Sequence, residues 1–449
     1  MTARQEFGHR QGGSGAQWRR RRVLAPIAAA LPIVGLGLGG ALPAAASARP
    51  HAGGTISVGV IGPMTGPAAE IGTLMSAACA SGIHVVNAAG GALGNQLTCD
   101  QIDDTGDPAD AVPNVTRALA TTSNLKMAVG LESNTAATTI PLVNNAQIPM
   151  FSTNGLVAFD KTTDRYFWRT TPADNQNGAA FAVWAVKEGY KRAAMVFQNN
   201  IGAQGNEPGV VQGIDHLGGK ISINVSIPGD SASYSSVVER VIASKPQVVI
   251  VEGDPQTSAT FFSEYKQLNH GKVPPIVTGT DSLTPDYLSA MEKVLGKSYV
   301  TKDISLVGSH IDPGSAAYRV YKAALYASPT VKNPALVLGV GVISSIYDGI
   351  VAMSLAMDMA HSTSGAVYNS DIEKVTSASP GAVVVHTYAE GLAALKRHKT
   401  VDYVGVEGQI SFDKYHNSPG NFSSSGFNPD GSPRSLGVIA GSEVQKLLG

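Results

Sequence analysis

From Thr55 onward, short β-branched runs alternate with longer amphipathic stretches, and that order leaves few folds open. A strand, a covering helix and a parallel strand form the repeating unit of a doubly wound α/β sheet. Ile56, Val58 and Val60 make the first strand. The turn Gly62-Pro63-Met64-Thr65-Gly66 leads into a helix with Ile71, Leu74, Met75, Ala78, Gly82 and Val85 at helical spacing. Strand-like segments follow at Gln96–Ile102, Met127–Leu131, Pro149–Ser152 and Tyr166–Thr170. A second series starts near Pro172, with helices over Asn177–Glu188, Pro208–Leu217, Tyr234–Ser244, Ser258–Leu268 and Pro285–Leu295. Strands over Ala193–Gln198, Ile221–Ile227, Val248–Glu252 and Ile276–Gly279 alternate with them. The tail from Lys396 to Gly449 reads as less regular, rich in Gly, Ser, Asn and Pro.

The N-terminus reads differently. A block of arginines, Arg19 to Arg22, precedes an apolar run from Val23 to Leu42, and Ala46-Ser47-Ala48 supplies a small-x-small cleavage pattern. Pro26, Pro32 and several glycines weaken a spanning helix, so residues 1–48 are expected to be a cleaved signal peptide and the mature chain exported. The only cysteines are Cys79 and Cys99, so none follows the apolar run where a lipid would attach, and the chain is not an evident lipoprotein. About 400 residues then remain, which is more than one core usually holds. A net charge of −1, with 15% charged residues, argues against nucleic acid as a partner. The apolar stretch Val337–Met359 carries Ser344, Ser345, Tyr347, Asp348 and Asp358, so it reads as a buried helix. Cys79 falls in the first helix and Cys99 in the next strand, elements that normally pack together; a disulfide is expected, two buried thiols being the alternative. Closing that loop would add roughly 3 kcal/mol.

Ligands of open α/β sheets bind beyond the carboxyl ends of the strands. That rule singles out Pro63–Thr65, Glu132–Thr135, Thr153–Gly155, Asn199–Ile201, Gly253–Asp254 and Thr280–Ser282, small polar stretches suited to a small polar solute. Enzyme chemistry finds little support. Asp103 and Asp104 are adjacent on a strand and point to opposite faces, so they read as a cap for the helix after Pro108. No histidine pair has metal-ligand spacing, and no nucleophile elbow or phosphate loop occurs, so no catalytic residue, cofactor or metal is expected.

Six segments in order carry a resemblance: Gly59 to Gly66; Asp103-Asp104 with Asp107-Pro108; Gly130-Leu131-Glu132-Ser133; Arg169 to Pro172; Asn175 to Gly178; and Gly408 to Asp413. Together they make the chain similar to the extracytoplasmic solute-binding proteins of ABC transporters for branched-chain amino acids. The resemblance implies two lobes joined by three chain crossings, with residues 55–173 and 305–405 in lobe 1 and 174–304 and 406–449 in lobe 2. It also implies a solute captured between closing lobes and passed to a membrane permease, by a monomer. Presentation to a signalling receptor is the alternative.

Carried onto this chain, Ser133 matches the serine that binds a ligand carboxylate beside a helix start, and Asp281 the acid that pairs with an α-ammonium. Asn134, Asn154 and Gly155 join them as candidate contacts. The aromatic residues that cover the family's ligand are replaced by Ile71, Ile201 and Asp254. Lost rings and added carboxylates point away from leucine and toward a more polar or cationic solute.

Overall fold

A computed structural model describes residues 53–418 and 420–448; the expected signal peptide lies outside the described residues. The strands β1 (Thr55–Gly62), β2 (Gln96–Asp103), β3 (Leu125–Gly130), β4 (Met150–Ser152) and β5 (Phe167–Trp168) form one parallel sheet in the order β2-β1-β3-β4-β5. The strands β6 (Arg192–Gln198), β7 (Lys220–Ile227), β8 (Val248–Glu252), β9 (Ile276–Gly279) and β10 (Ile304–Ser309) form a second, in the order β7-β6-β8-β9-β10. Every residue of β8 and β9 is buried, as expected of strands covered by helices on both faces.

The chain passes between the sheets three times. After β10 it returns to the first lobe, where β11 (Val383–Val385), β12 (Val401–Gly405) and β13 (Gly408–Gln409) make a small sheet. It then rejoins the second lobe as β14 (Phe422–Phe427) and β15 (Pro433–Ile439), antiparallel on the edge of β10. The sequence-based boundaries therefore shift. β10 pairs with β9 and β14 and belongs wholly to the second sheet, whereas β13 pairs with β12 in the first lobe.

The crossings are tied together at Arg169. Its backbone N–H donates to His416 O at 2.9 Å, its carbonyl accepts from Ser418 N–H at 2.8 Å, and its buried guanidinium bonds Asn417, Leu156 O and Asp160. His310 N–H donates to Asn421 O at 2.9 Å and adds the second crossing to the same junction.

The helix Gly341–Ala360 is buried almost throughout and packs on the Ala69–Ala88 helix and on β4, Gly349 lying against the Phe151 ring. The apolar stretch there is a core helix, as its polar interruptions suggested. Cys79 and Cys99 form the expected disulfide, with their Cα atoms 6.2 Å apart. Replacing both with serine is expected to lower unfolding free energy by roughly 3 kcal/mol, checked by urea melts of the oxidised chain and the double variant.

Asp103 and Asp104 do not cap the helix beginning at Pro108. Asp107 does, its side chain accepting from Ala109 N–H at 2.7 Å. Asp103 instead clamps the turn after β1 through Met64 N–H, Thr65 N–H and the Thr65 hydroxyl. Asp104 is buried and accepts from the Thr135 hydroxyl and Gly106 N–H.

Candidate functional site

The strand order reverses between β1 and β3 in the first sheet and between β6 and β8 in the second. Loops diverge at such points and leave a crevice beyond the strand ends. Both crevices open onto one cavity of about 260 Å³ between the lobes.

Tight turns deliver its side chains. A Cβ on Gly130 would lie 2.2 Å from Ile61 O, so only glycine fits at the end of β3. Leu131 follows at φ 54°, a left-handed conformation unusual for a leucine, and the reversal places Glu132 and Ser133 at the start of the Ser133–Asn145 helix. Asp174 opens the Asp174–Lys187 helix on the opposite lobe and sits between two glycines. A Cβ on Gly155 would lie 1.8 Å from its Oδ1, and one on Gly205 2.3 Å from its Oδ2. Glu252 ends β8, and Asp281 follows β9. A Cβ on Gly279 would lie 2.3 Å from Asp281 Oδ1 and 2.8 Å from Glu252 Oε1, so the two carboxylates crowd one point.

The lobes touch across the cavity mouth. Gly202 N–H donates to Asn134 Oδ1 at 3.2 Å, and Asp286 N–H to Glu70 Oε2 at 3.3 Å. These bonds join the second lobe to the first across the cleft.

The charge balance within is one-sided. Glu70, Glu132, Asp174, Glu252, Asp254, Asp281 and Asp286 line the cavity, and among the described residues no lysine, arginine or histidine does. Loss of water raises the carboxyls, and neighbouring acids raise them further. Burial, with Asp104 nearby, pushes Glu132 up to about 8. Burial pushes Asp174 up to about 7, although Arg169 opposes the rise. Glu252 stands well above the usual range through burial and the charge of Asp281, and burial raises Asp281 itself. Buried oxygens of three of them, Glu132 Oε1, Asp174 Oδ2 and Glu252 Oε1, accept no hydrogen bond from a described residue, and the buried Tyr287 hydroxyl is likewise unpartnered.

Of the residues singled out from sequence, Ile71, Ser133, Asn134, Gly155, Asp254 and Asp281 line this cavity. Two do not. Asn154 is buried behind it, its amide donating to Ser152 Oγ at 2.6 Å and its Oδ1 accepting from Leu156 N–H. Ile201 is 49% exposed, because Asn200 caps the helix Ile201–Gly205 and turns that side chain outward. The helix start expected to receive a carboxylate is also engaged already: Asn134 N–H donates to Glu132 Oε2 at 2.9 Å, and Gly155 N–H to Ser133 Oγ at 3.1 Å. Asp254 accepts from Gln198 Nε2 at 2.6 Å. Sequence reasoning passed over Asp174 and Glu252, whose only signal was a carboxylate at the end of a strand or the start of a helix.

Residues 55–341 match the sequence profile of the periplasmic binding proteins. The chain belongs to that family. A Leu/Ile/Val-binding protein homologue of Brucella melitensis is 24% identical over 202 residues, 44% of this chain and 54% of that protein. The Leu/Ile/Val-binding protein BraC3 of Rhizobium johnstonii is 24% identical over 211 residues, 45% of this chain and 56% of that protein. The chain thus spans about half the length of the curated relatives it matches. Among solved structures, the branched-chain amino acid binding protein LivJ of Streptococcus pneumoniae, in complex with isoleucine, superposes with a TM-score of 0.69 at 17% identity. That superposition covers 86% of this chain and 99% of LivJ. A solute-binding protein of an ABC transporter from R. palustris, in complex with benzoate, gives 0.66 at 17% identity, covering 86% and 96%. These likenesses establish the type I periplasmic-binding fold: two lobes of mainly parallel sheet covered by helices.

Proposed function

We propose that this periplasmic binding protein captures a small, amine-bearing solute outside the cytoplasm and delivers it to the permease of an ABC transporter. The observation that carries the reading is the interlobe cavity lined by seven carboxylates and, among the described residues, by no cation. Such a surface attracts a positive, donor-rich solute and repels anions. Asp281, Glu252 and Asp174 hold the solute's ammonium, while the Ser133 hydroxyl and the Asn177 and Asn200 amides offer polar contacts nearby. Asn134 and Glu70 act as latches, since their bonds exist only with the lobes together. The chain works as an exported monomer that binds and releases its solute unchanged. Nothing among the described residues favours presentation to a signalling receptor over a permease.

Calorimetric titration of the mature chain with amino acids, amides, aromatic acids and amines tests this. The expected result is one site per chain, selective for an amine, with a smaller radius of gyration in solution on saturation. Asp281→Asn is expected to weaken binding about tenfold or more, since a charge-assisted hydrogen bond contributes about 1.5–3 kcal/mol. Unchanged affinity in that variant would remove Asp281 from the site.

A further inference from the structure

We propose that the solute is a small organic dication without a carboxylate, one ammonium lodging against Glu252, Asp281 and Asp174 and the other reaching Glu132. This rests on the solute-binding reading and narrows it to a ligand class.

The first pole lies in the second lobe. Glu252 is only 5% exposed and Tyr287 1%, both line the cavity, and both present a polar atom that no described residue satisfies. Asp281 Oδ1 and Glu252 Oε1 converge on one point over Gly279, and Asp174 Oδ2 adds a further unsatisfied acceptor. An ammonium has three donors and no acceptor, so it suits a cluster of carboxylates as a neutral group does not. The nearest guanidinium, Arg169, is committed to Asp160, Leu156 O and Asn417 and does not line the cavity.

The second pole is Glu132, on the first lobe. Glu132 lines the cavity; one of its oxygens accepts from Asn134 N–H, and its buried Oε1 accepts no hydrogen bond from a described residue. A monocation held at one pole leaves Glu132 protonated at the other, without the charge-assisted hydrogen bond that a second ammonium would supply. A ligand carboxylate fares worse: the helix-start donor that could hold it is taken by Glu132 itself, so the anion would meet an acid there.

Calorimetry of the mature chain with α,ω-diaminoalkanes from propane to hexane, butylamine, γ-aminobutyrate and leucine decides the matter. One diamine is expected to bind about a hundredfold tighter than butylamine, the monocation of matching shape. Glu132→Gln is expected to bring that diamine to within about threefold of butylamine, and Asp281→Asn to weaken both. The wild-type comparison stands even if a variant folds poorly. Equal binding of diamine and butylamine, or tighter binding of γ-aminobutyrate or leucine, overturns the dication and leaves the solute-binding reading intact. Binding of none of these overturns the dication as well. The broader reading falls with it only if the amide and aromatic-acid titrations are also silent and scattering shows no compaction.

Discussion

Without solute, the protein is expected to melt several degrees lower at pH 8.5 than at pH 5.5. Burial holds Asp348 up to about 6, Asp174 to about 7, and Glu132 and Glu407 to about 8, while Glu252 stands well above the ordinary carboxylate range. Carboxyls raised in the folded chain keep protons that the unfolded chain has already released. Their stabilisation is complete below the ordinary carboxylate range and is lost as the pH climbs through about 6 to 8. A single net proton over two pH units already amounts to about 2.7 kcal/mol. Asp348 and Glu407 lie away from the cavity; Asp348 accepts from Val406 N–H and the Tyr403 hydroxyl, so this part of the slope persists whatever is bound. The cavity part should disappear when a cation saturates the site, because a counter-charge depresses the same carboxyls. Affinity for the cation should accordingly rise with pH across the same interval, with proton release on binding. Differential scanning calorimetry at the two pH values, with and without solute, reads both effects. A melting temperature flat or rising with pH in the free protein would contradict the charge balance assigned to the cleft.

The largest loss of stability is expected from Gly178→Ala or Gly209→Ala. The Asp174–Lys187 and Glu207–His216 helices pack with their backbones in contact, and both carry cavity residues at or next to their starts. A Cβ on Gly178 would lie 2.0 Å from Asn206 O, and one on Gly209 1.8 Å from Asn175 O. Backbone oxygens cannot swing aside as a side chain can, so the helices must separate. Overpacking of this kind costs about 3 kcal/mol or more, and the separation also displaces Asp174 and Asn206. Gly189→Ala is the control: its φ is 92° but nothing lies within 4 Å of its Cβ, so only the left-handed backbone is penalised, by about 1–2 kcal/mol. Urea melts that rank the three variants equally would remove the close helix contact from the explanation.

The β–α order could be read along most of the chain because buried parallel strands are unbroken apolar runs, as in Val248 to Val251. The tail escaped that rule. β14, Phe-Ser-Ser-Ser-Gly-Phe, lacks β-branched residues and is a strand because β10 and β15 pair with it from both sides. Sheet membership of β10 was equally hidden, since the residues flanking a crossing look alike from either lobe. The strand-end rule singled out Glu132, Ser133, Asn134, Asp254 and Asp281, which line the cavity, and Thr135, which does not. It could not tell an inward side chain from one held elsewhere by local hydrogen bonds or a cap, which is why Ile201 and Asn154 lie outside the cavity lining. Asp174 and Glu252 become meaningful only when folding gathers them around Gly155, Gly205 and Gly279, whose missing side chains make the space.

Native mass spectrometry of the protein purified from its own host under gentle conditions tests the central claim most directly. One small amine-bearing compound per chain, released on acidification and replaced by an added diamine, is the expected result. A bound aliphatic amino acid or aromatic acid that a diamine cannot displace would contradict it.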